Sequence, residues 1–382
     1  MADLPVDEVR TYLGRRGLAP GPVEVGMALR SLGHLVSEGA VRATVAALRR
    51  ESVGAGPLDD LLELPGVTDV LVNGPSAVYV DRGHGLEAVD LAFSDDAEVR
   101  RLAVRLAASV GRRLDDGSPF VDARLASGVR VHAVLGVVAD AGTCLSLRVP
   151  RQRAMSVDEW VSGGSMTPAA AELLRLVVER RLAFLISGGT GSGKTTLLAT
   201  LLGLVPPEER IVVAEDSREL APSHPHCVRL EARPPNSDGA GAVTLTDLVR
   251  QALRMRPDRL VVGEVRGAEL VDLLMALNTG HEGGCGTVHA NSAADVPARL
   301  EALGALGGLG RSALHAQVAA ALDLVVHVTR TSTGARWIDE IRVVQQASGT
   351  GLCEAVPAIR FDPGGTVSTS GGFGTLKRLV TS

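Results

Sequence analysis

Eight consecutive residues, Gly188-Gly189-Thr190-Gly191-Ser192-Gly193-Lys194-Thr195, follow the pattern G-x-x-x-x-G-K-[ST] that wraps backbone amides around a phosphate chain. Glycines at half of these positions let N–H groups converge on anionic oxygens without Cβ clashes, and a helix starting at the loop adds positive potential. Lys194 would reach the β- and γ-phosphates, Thr195 would coordinate Mg²⁺, and Thr196 carries the loop into the helix. Among 39 Lys and Arg only Lys194 and Lys377 are lysines. With so few lysines, a chance match to the pattern has odds of roughly one in a few hundred. Both lysines are accounted for outside an Asn-Lys-x-Asp guanine motif, so GTP recognition by that route is excluded and ATP is the expected nucleotide. There is also no Leu-Ser-Gly-Gly-Gln transporter signature.

Acids follow at the ends of apolar runs. Leu260-Val-Val-Gly-Glu264 ends in a carboxylate about 70 residues after the loop, where a P-loop fold sets an acid near Mg²⁺ or the attacking water. Ile211-Val-Val-Ala-Glu215-Asp216 is a second such run, with Glu219 after it. Solvated acids are common at strand ends, but carboxyl ends of parallel strands are where α/β sheets bind ligands. The loop therefore turns these acids into candidates. Gly280-His281-Glu-Gly-Gly-Cys-Gly-Thr287-Val-His289-Ala-Asn291 adds two histidines around a glycine turn, of which His289 suits a γ-phosphate sensor or water positioner.

These groups need elements to hold them. Strand 182–187 enters the loop and helix 193–203 leaves it; then strand 210–215, helix 244–255, strand 259–264, helix 267–277 and strand 285–289 alternate, after helix 168–180. Such alternation predicts an α/β domain with a parallel sheet and crossover helices. Ala313 to Val328 predicts a buried helix running into a strand. Upstream, residues 1–56 predict short amphipathic helices, and 57–150 an α+β domain of strands 69–72, 78–81, 86–89, 121–125, 129–135 and 144–149 with a helix over 95–110. Residues 151–168 suit a linker or hinge, 169–345 the ATPase domain, and the Gly-, Ser- and Thr-rich 346–382 a poorly ordered tail.

Composition narrows the function classes. The chain has 382 residues, 45% hydrophobic and 22% charged, which excludes wholesale disorder and predicts more than one domain. A net charge of −5 and few aromatics argue against a nucleic-acid partner. Cys144, Cys227, Cys285 and Cys353 are too far apart for a C-x-x-C zinc pair and predict reduced, mostly buried thiols. No basic n-region with an apolar run opens the chain and no apolar stretch spans a bilayer, so a cytoplasmic protein is expected.

The ordered segments GGTGSGKTT (188–196), VVAEDSREL (212–220), RMRPDRLVVGEVRG (254–267) and TGHEGGCGTVHANS (279–292) resemble the secretion-superfamily (type II/IV secretion) ATPases, with their Walker A, Asp, Walker B and His boxes. The flavour of 230–267 is that of the tight-adherence pilus and conjugal-transfer-associated branch. The resemblance implies a RecA-like ATPase domain behind a smaller α+β domain. It also implies a homo-hexamer at the cytoplasmic face of a membrane, coupling hydrolysis to pilus assembly, secretion or conjugal transfer through an inner-membrane platform protein. By the same resemblance the first domain supplies arginines to the nucleotide, here Arg130 and Arg148. A tetracysteine zinc element and an Ala-Ile-Arg-Asn-Leu-Ile-Arg-Glu segment, found in some relatives, are absent.

The mechanism expected is ATP·Mg²⁺ at 188–196, with Lys194 and the amides on the phosphates. Thr195 and Glu264 would hold Mg²⁺, the latter directly or through water, and Glu264 and Glu215 would divide water activation in a way the residues leave open. The rival readings are a nucleic-acid motor or DNA-remodelling P-loop ATPase, and an ATP-dependent scaffold with negligible turnover.

Overall fold

A computed structural model describes all residues except 1–4, 19, 20, 35, 53, 84, 151–153, 234, 236–239, 332, 333 and 382. The chain forms two compact units, Met1–Pro150 and Arg151–Ser382.

The first unit opens with helices α1 (Val6–Arg16), α2 (Pro22–Ser31) and α3 (Glu38–Ser52), which bury Val9, Leu13, Val25, Leu29 and Leu48 together. The one-turn α4 (Asp59–Leu62) leads to β1 (Asp69–Asn73), β2 (Val78–Asp81) and β3 (Leu86–Val89), then α5 (Asp96–Ser109), β4 (Phe120–Arg124), β5 (Arg130–Val134) and β6 (Cys144–Arg148). The six strands make one antiparallel sheet in the order β3-β2-β1-β6-β5-β4. Alternate residues of β1, β5 and β6 (Val70, Val72, Val131, Ala133, Leu145, Leu147) are buried, as the period-two pattern requires. Asp95 caps α5 by accepting from the Glu98 amide at 2.8 Å.

In the second unit α6 (Val157–Ser162) and α7 (Pro168–Glu179) precede β7 (Phe184–Gly188), α8 (Lys194–Leu202), β8 (Ile211–Glu215), β9 (Cys227–Glu231) and α9 (Leu245–Ala252). After these come β10 (Arg259–Val265), α10 (Glu269–Leu277), β11 (Cys285–His289), α11 (Val296–Leu306), α12 (Arg311–Ala321) and β12 (Leu324–Arg330). The chain ends with β13 (Arg336–Gln346), β14 (Cys353–Phe361), β15 (Val367–Thr369) and α13 (Phe373–Thr381). All strands join one sheet, β15-β14-β13-β12-β7-β11-β10-β8-β9. From β12 through β9 it is parallel, with β7, β8 and β10 buried along almost their whole length.

The expected parallel sheet is present and is extended at one side, where β12, β13, β14 and β15 pair antiparallel. The connection over 331–335 is too short for a crossover helix, so the chain turns straight back as a hairpin. The expected tail over 346–382 is corrected. β14 buries Ala355, Ala358, Ile359 and Phe361, and α13 buries Leu376 and Val380; the glycines of that stretch serve turns between them. The stretch expected as a linker carries α6, opened by a Ser156–Glu159 capping box, and its Trp160 lies in the core of the second unit. The four cysteines are free, Cys285 and Cys353 buried and Cys144 and Cys227 partly so. No helix among the described residues is long and apolar enough to cross a membrane.

Candidate nucleotide site

β7 delivers the loop and α8 receives it. Gly188, Gly191 and Gly193 take φ values of 154°, 68° and 101°, a region costly for any side chain, so the alternation of glycine with Thr190 and Ser192 is the local reason this turn forms. At Gly188 a Cβ would stand 2.3 Å from the Val328 carbonyl and 2.6 Å from Ser192 Oγ. β7 can therefore lie this tightly against β12 only with glycine there. Lys194 is buried at the first turn of α8, while Thr195 and Thr196 are half-buried beside it.

The Lys194 ammonium donates to the carbonyls of Gly188 (3.0 Å) and Gly189 (2.9 Å), and its nitrogen lies 3.4 Å from His289 Nδ1. Burial pulls its pKa below the ordinary lysine value, against the opposing charges of Glu264 and Glu219. His289 Nε2 in turn meets Glu264 Oε1 at 2.5 Å. Burial, and then the Lys194 charge, hold the imidazole below its ordinary value despite Glu264. The contact is thus an N–H donated to a carboxylate rather than an ion pair at neutral pH.

A register break in β10 between Val262 and Val265 aims Glu264 at this cluster. It is stitched by the Thr287 hydroxyl, which donates to the Gly263 carbonyl at 2.7 Å. Glu215, at the end of β8, is buried over Gly263, where a Cβ would come within 2.5 Å of its Cγ. Its Oε1 accepts from the amides of Glu219 (2.9 Å) and Leu220 (2.8 Å), while Oε2 is buried without a partner. Burial raises its pKa above the usual carboxylate range, and the two amides offset only part of that.

Lys194, Glu264 and His289 therefore converge, and Glu215 sits behind them as a buried support. Arg130 and Arg148 belong to the first unit, where they lie directly opposite each other on β5 and β6. Arg148 also donates to Asp69 at 3.1 Å. Three neighbours of the loop escaped the sequence reading. His327 shares a 2.9 Å hydrogen bond with Ser187, Trp160 donates to Thr200 at 2.8 Å beneath the loop helix, and Arg336 donates to the Gly191 carbonyl at 2.8 Å. Each comes from a segment remote in sequence, and no local pattern marks it.

A family model described as "Type II/IV secretion system protein" matches residues 51–359. The chain is 58% identical over 315 residues to a Mycobacterium tuberculosis (strain H37Rv) protein assigned to conjugal transfer, covering 81% of this chain and 90% of that one. It is 34% identical over 298 residues to the type IV secretion system protein PtlH of Bordetella pertussis, covering 71% and 88%. Among solved structures, the pilus retraction motor PilT with bound ADP aligns with a TM-score of 0.54 at 20% identity, over 74% of this chain and 80% of that one. The Yersinia pseudotuberculosis ATPase DotB aligns at 0.55 and 16%, over 78% and 79%. Both likenesses are of fold.

Proposed function

The chain belongs to the type II/IV secretion system protein family and is an ATPase of that family; from this premise we propose that ATP·Mg²⁺ binds at 188–196 and that its hydrolysis drives pilus assembly, protein secretion or conjugal transfer. The observation carrying this reading is the convergence of Lys194, His289 and Glu264 at the carboxyl ends of the adjacent parallel strands β7, β11 and β10.

The loop fits a polyphosphate. Its glycines leave no side chain over the amides, and Ser192 Oγ is buried without a partner. Lys194, now held by loop carbonyls, would swing onto the phosphates and exchange neutral acceptors for charged ones. Oxygen donors suited to Mg²⁺ stand nearby, the Thr195 hydroxyl and the Glu264 carboxylate, directly or through water; bound there, the ion would neutralise phosphate charge.

Glu264 is the better placed acid to orient and deprotonate the attacking water, because it is half-exposed and faces Lys194 and His289. Donation from His289 keeps the carboxylate in one orientation. Glu215 has one oxygen committed to two amides and sits in the core, which suits holding the 216–220 turn. Arg130 and Arg148, facing each other in register, are proposed as further phosphate-contacting arginines.

The assembly proposed is a homo-hexamer at the cytoplasmic face of the membrane, working on a platform protein. Light scattering behind size exclusion, with and without ATP, tests the ring. ATPase assays test the site: purified Lys194→Ala should lose turnover, and hydrolysis at the wild-type rate would overturn the assignment. Strong stimulation by DNA would favour a nucleic-acid motor instead.

A further inference from the structure

Two arginines close the hairpin beside the phosphate loop. Arg330, the last residue of β12, lies directly opposite Arg336, the first of β13. Like charges facing each other on an antiparallel pair destabilise it, so this arrangement calls for an anion. Among the described residues no carboxylate pairs with Arg330, which is exposed. A side chain at Gly191 would come within 3.1 Å of its guanidinium, and Arg336 donates to the carbonyl of the same glycine at 2.8 Å.

A second observation is independent of the arginines. Ser192 Oγ, in a residue only 1% exposed, has no hydrogen-bond partner. Ser192, Gly189, Thr190, Asn291 and Arg330 line one cleft of about 470 Å³. The cleft thus brings together loop glycines, an unmatched hydroxyl and an unmatched guanidinium.

We propose that Arg330, steadied by Arg336 against the loop, grips the α- and β-phosphates of the bound nucleotide. The inference rests on the reading of 188–196 as a nucleotide site and adds a basic contact supplied by the same unit. The side of the loop decides which phosphates are met. β12 and β11 flank β7 on opposite sides, and Glu264 and His289 stand on the β11 side, where the γ-phosphate would be attacked. Arg330 stands on the β12 side. A planar guanidinium can hold two phosphate oxygens at once. The α- and β-phosphates are both retained in ADP, so the contact is made with substrate and product alike and acts first on KM.

The test uses the full chain and two fluorescent nucleotides, a labelled ADP and a labelled non-hydrolysable ATP analogue, titrated by anisotropy. Arg330→Gln should weaken both by about tenfold and raise KM by a similar factor, with kcat changed far less and the melting temperature no lower, since the repulsion from Arg336 is relieved. Arg330→Lys should recover part of the loss, since a point charge remains without the fork. Unaltered affinities in Arg330→Gln would overturn the proposal. So would a loss confined to the ATP analogue, which would place Arg330 on the γ-phosphate. If wild type binds neither nucleotide, or Lys194→Ala binds both normally, the nucleotide-site reading falls and this inference with it. That pattern is separable from the first two because it does not involve position 330.

Discussion

Glu264 and His289 meet at 2.5 Å across the ends of neighbouring strands, with the Lys194 nitrogen 3.4 Å from the same imidazole. The imidazole is held below its ordinary pKa by burial and by Lys194, so it orients the carboxylate as a neutral donor. Glu264→Gln keeps the shape but loses the proton acceptor, and kcat should fall by about 10²–10⁴-fold, far more than the affinity for nucleotide. His289→Ala should fall by less. The double variant should be no slower than Glu264→Gln, because the histidine acts through the glutamate. Steady-state kinetics on the three variants decide it, and additive losses would mean that His289 has a separate role.

Gly263 of β10 packs tightly against Glu215, since a Cβ there would stand 2.5 Å from Glu215 Cγ. Gly263→Ala must push that buried carboxylate off the amides of Glu219 and Leu220. The expected cost is about 1–3 kcal/mol, read from urea unfolding of the whole chain. ATP turnover should fall as well, because the displaced turn lies beside the Glu264 strand. Full stability in this variant would show that Glu215 has a second comfortable position.

What the sequence discloses and what it hides divide along a physical line. β7, the loop and α8 are legible because glycine spacing and an apolar run act over a few residues. Lys194, Glu264 and His289 are legible as candidates, and the resemblance orders them. Their 2.5–3.4 Å contacts are products of the parallel register of β7, β11 and β10. The hairpin after β12 hides, since its polar turn and the later glycines imitate a disordered tail while Ile359 and Phe361 go into the core. Arg330 and Arg336 carry no local signal, being ordinary members of an arginine-rich chain until the fold sets them against Gly191. Trp160 is concealed in the same way within a stretch of linker-like composition.

His327 offers a pH test on the β12 side of the loop. It is buried, shares a hydrogen bond with Ser187 of β7 and lies opposite Glu340 of β13; Asp339, Arg342 and Lys194 also bear on its charge. Burial pulls its pKa below the ordinary imidazole value, outweighing Glu340 and Asp339. The unfolded chain therefore binds a proton that the folded one resists. Stability contributed here is complete above the unfolded value of about 6.5 and is lost as pH falls below it. Thermal melts between about pH 7.5 and about pH 5.5 should show the loss, and His327→Gln should flatten it. An identical pH slope in that variant would move the effect to another group.

Trp160 is a ready reporter of the loop. Its indole lies where a side chain on Gly193 would come within 3.6 Å, and its N–H donates to Thr200 Oγ1 at 2.8 Å on the loop helix. The single hydroxyl proton of Thr200 is shared between the carbonyls of Met155 (2.8 Å) and Thr196 (2.9 Å), so indole, α8 and the segment before α6 are tied together. When Lys194 leaves the carbonyls of Gly188 and Gly189 for phosphate, the first turn of α8 must readjust under that indole. The only other tryptophan is Trp337, next to Arg336, so the measurement is made on Trp337→Phe. Added ATP or ADP should shift Trp160 emission in that variant, and the shift should vanish when Lys194→Ala is added. Trp160→Phe should also cost about 1–3 kcal/mol, because it leaves a buried hydroxyl short of its donor. An emission spectrum indifferent to saturating nucleotide would mean that the first turn of α8 does not readjust when nucleotide binds.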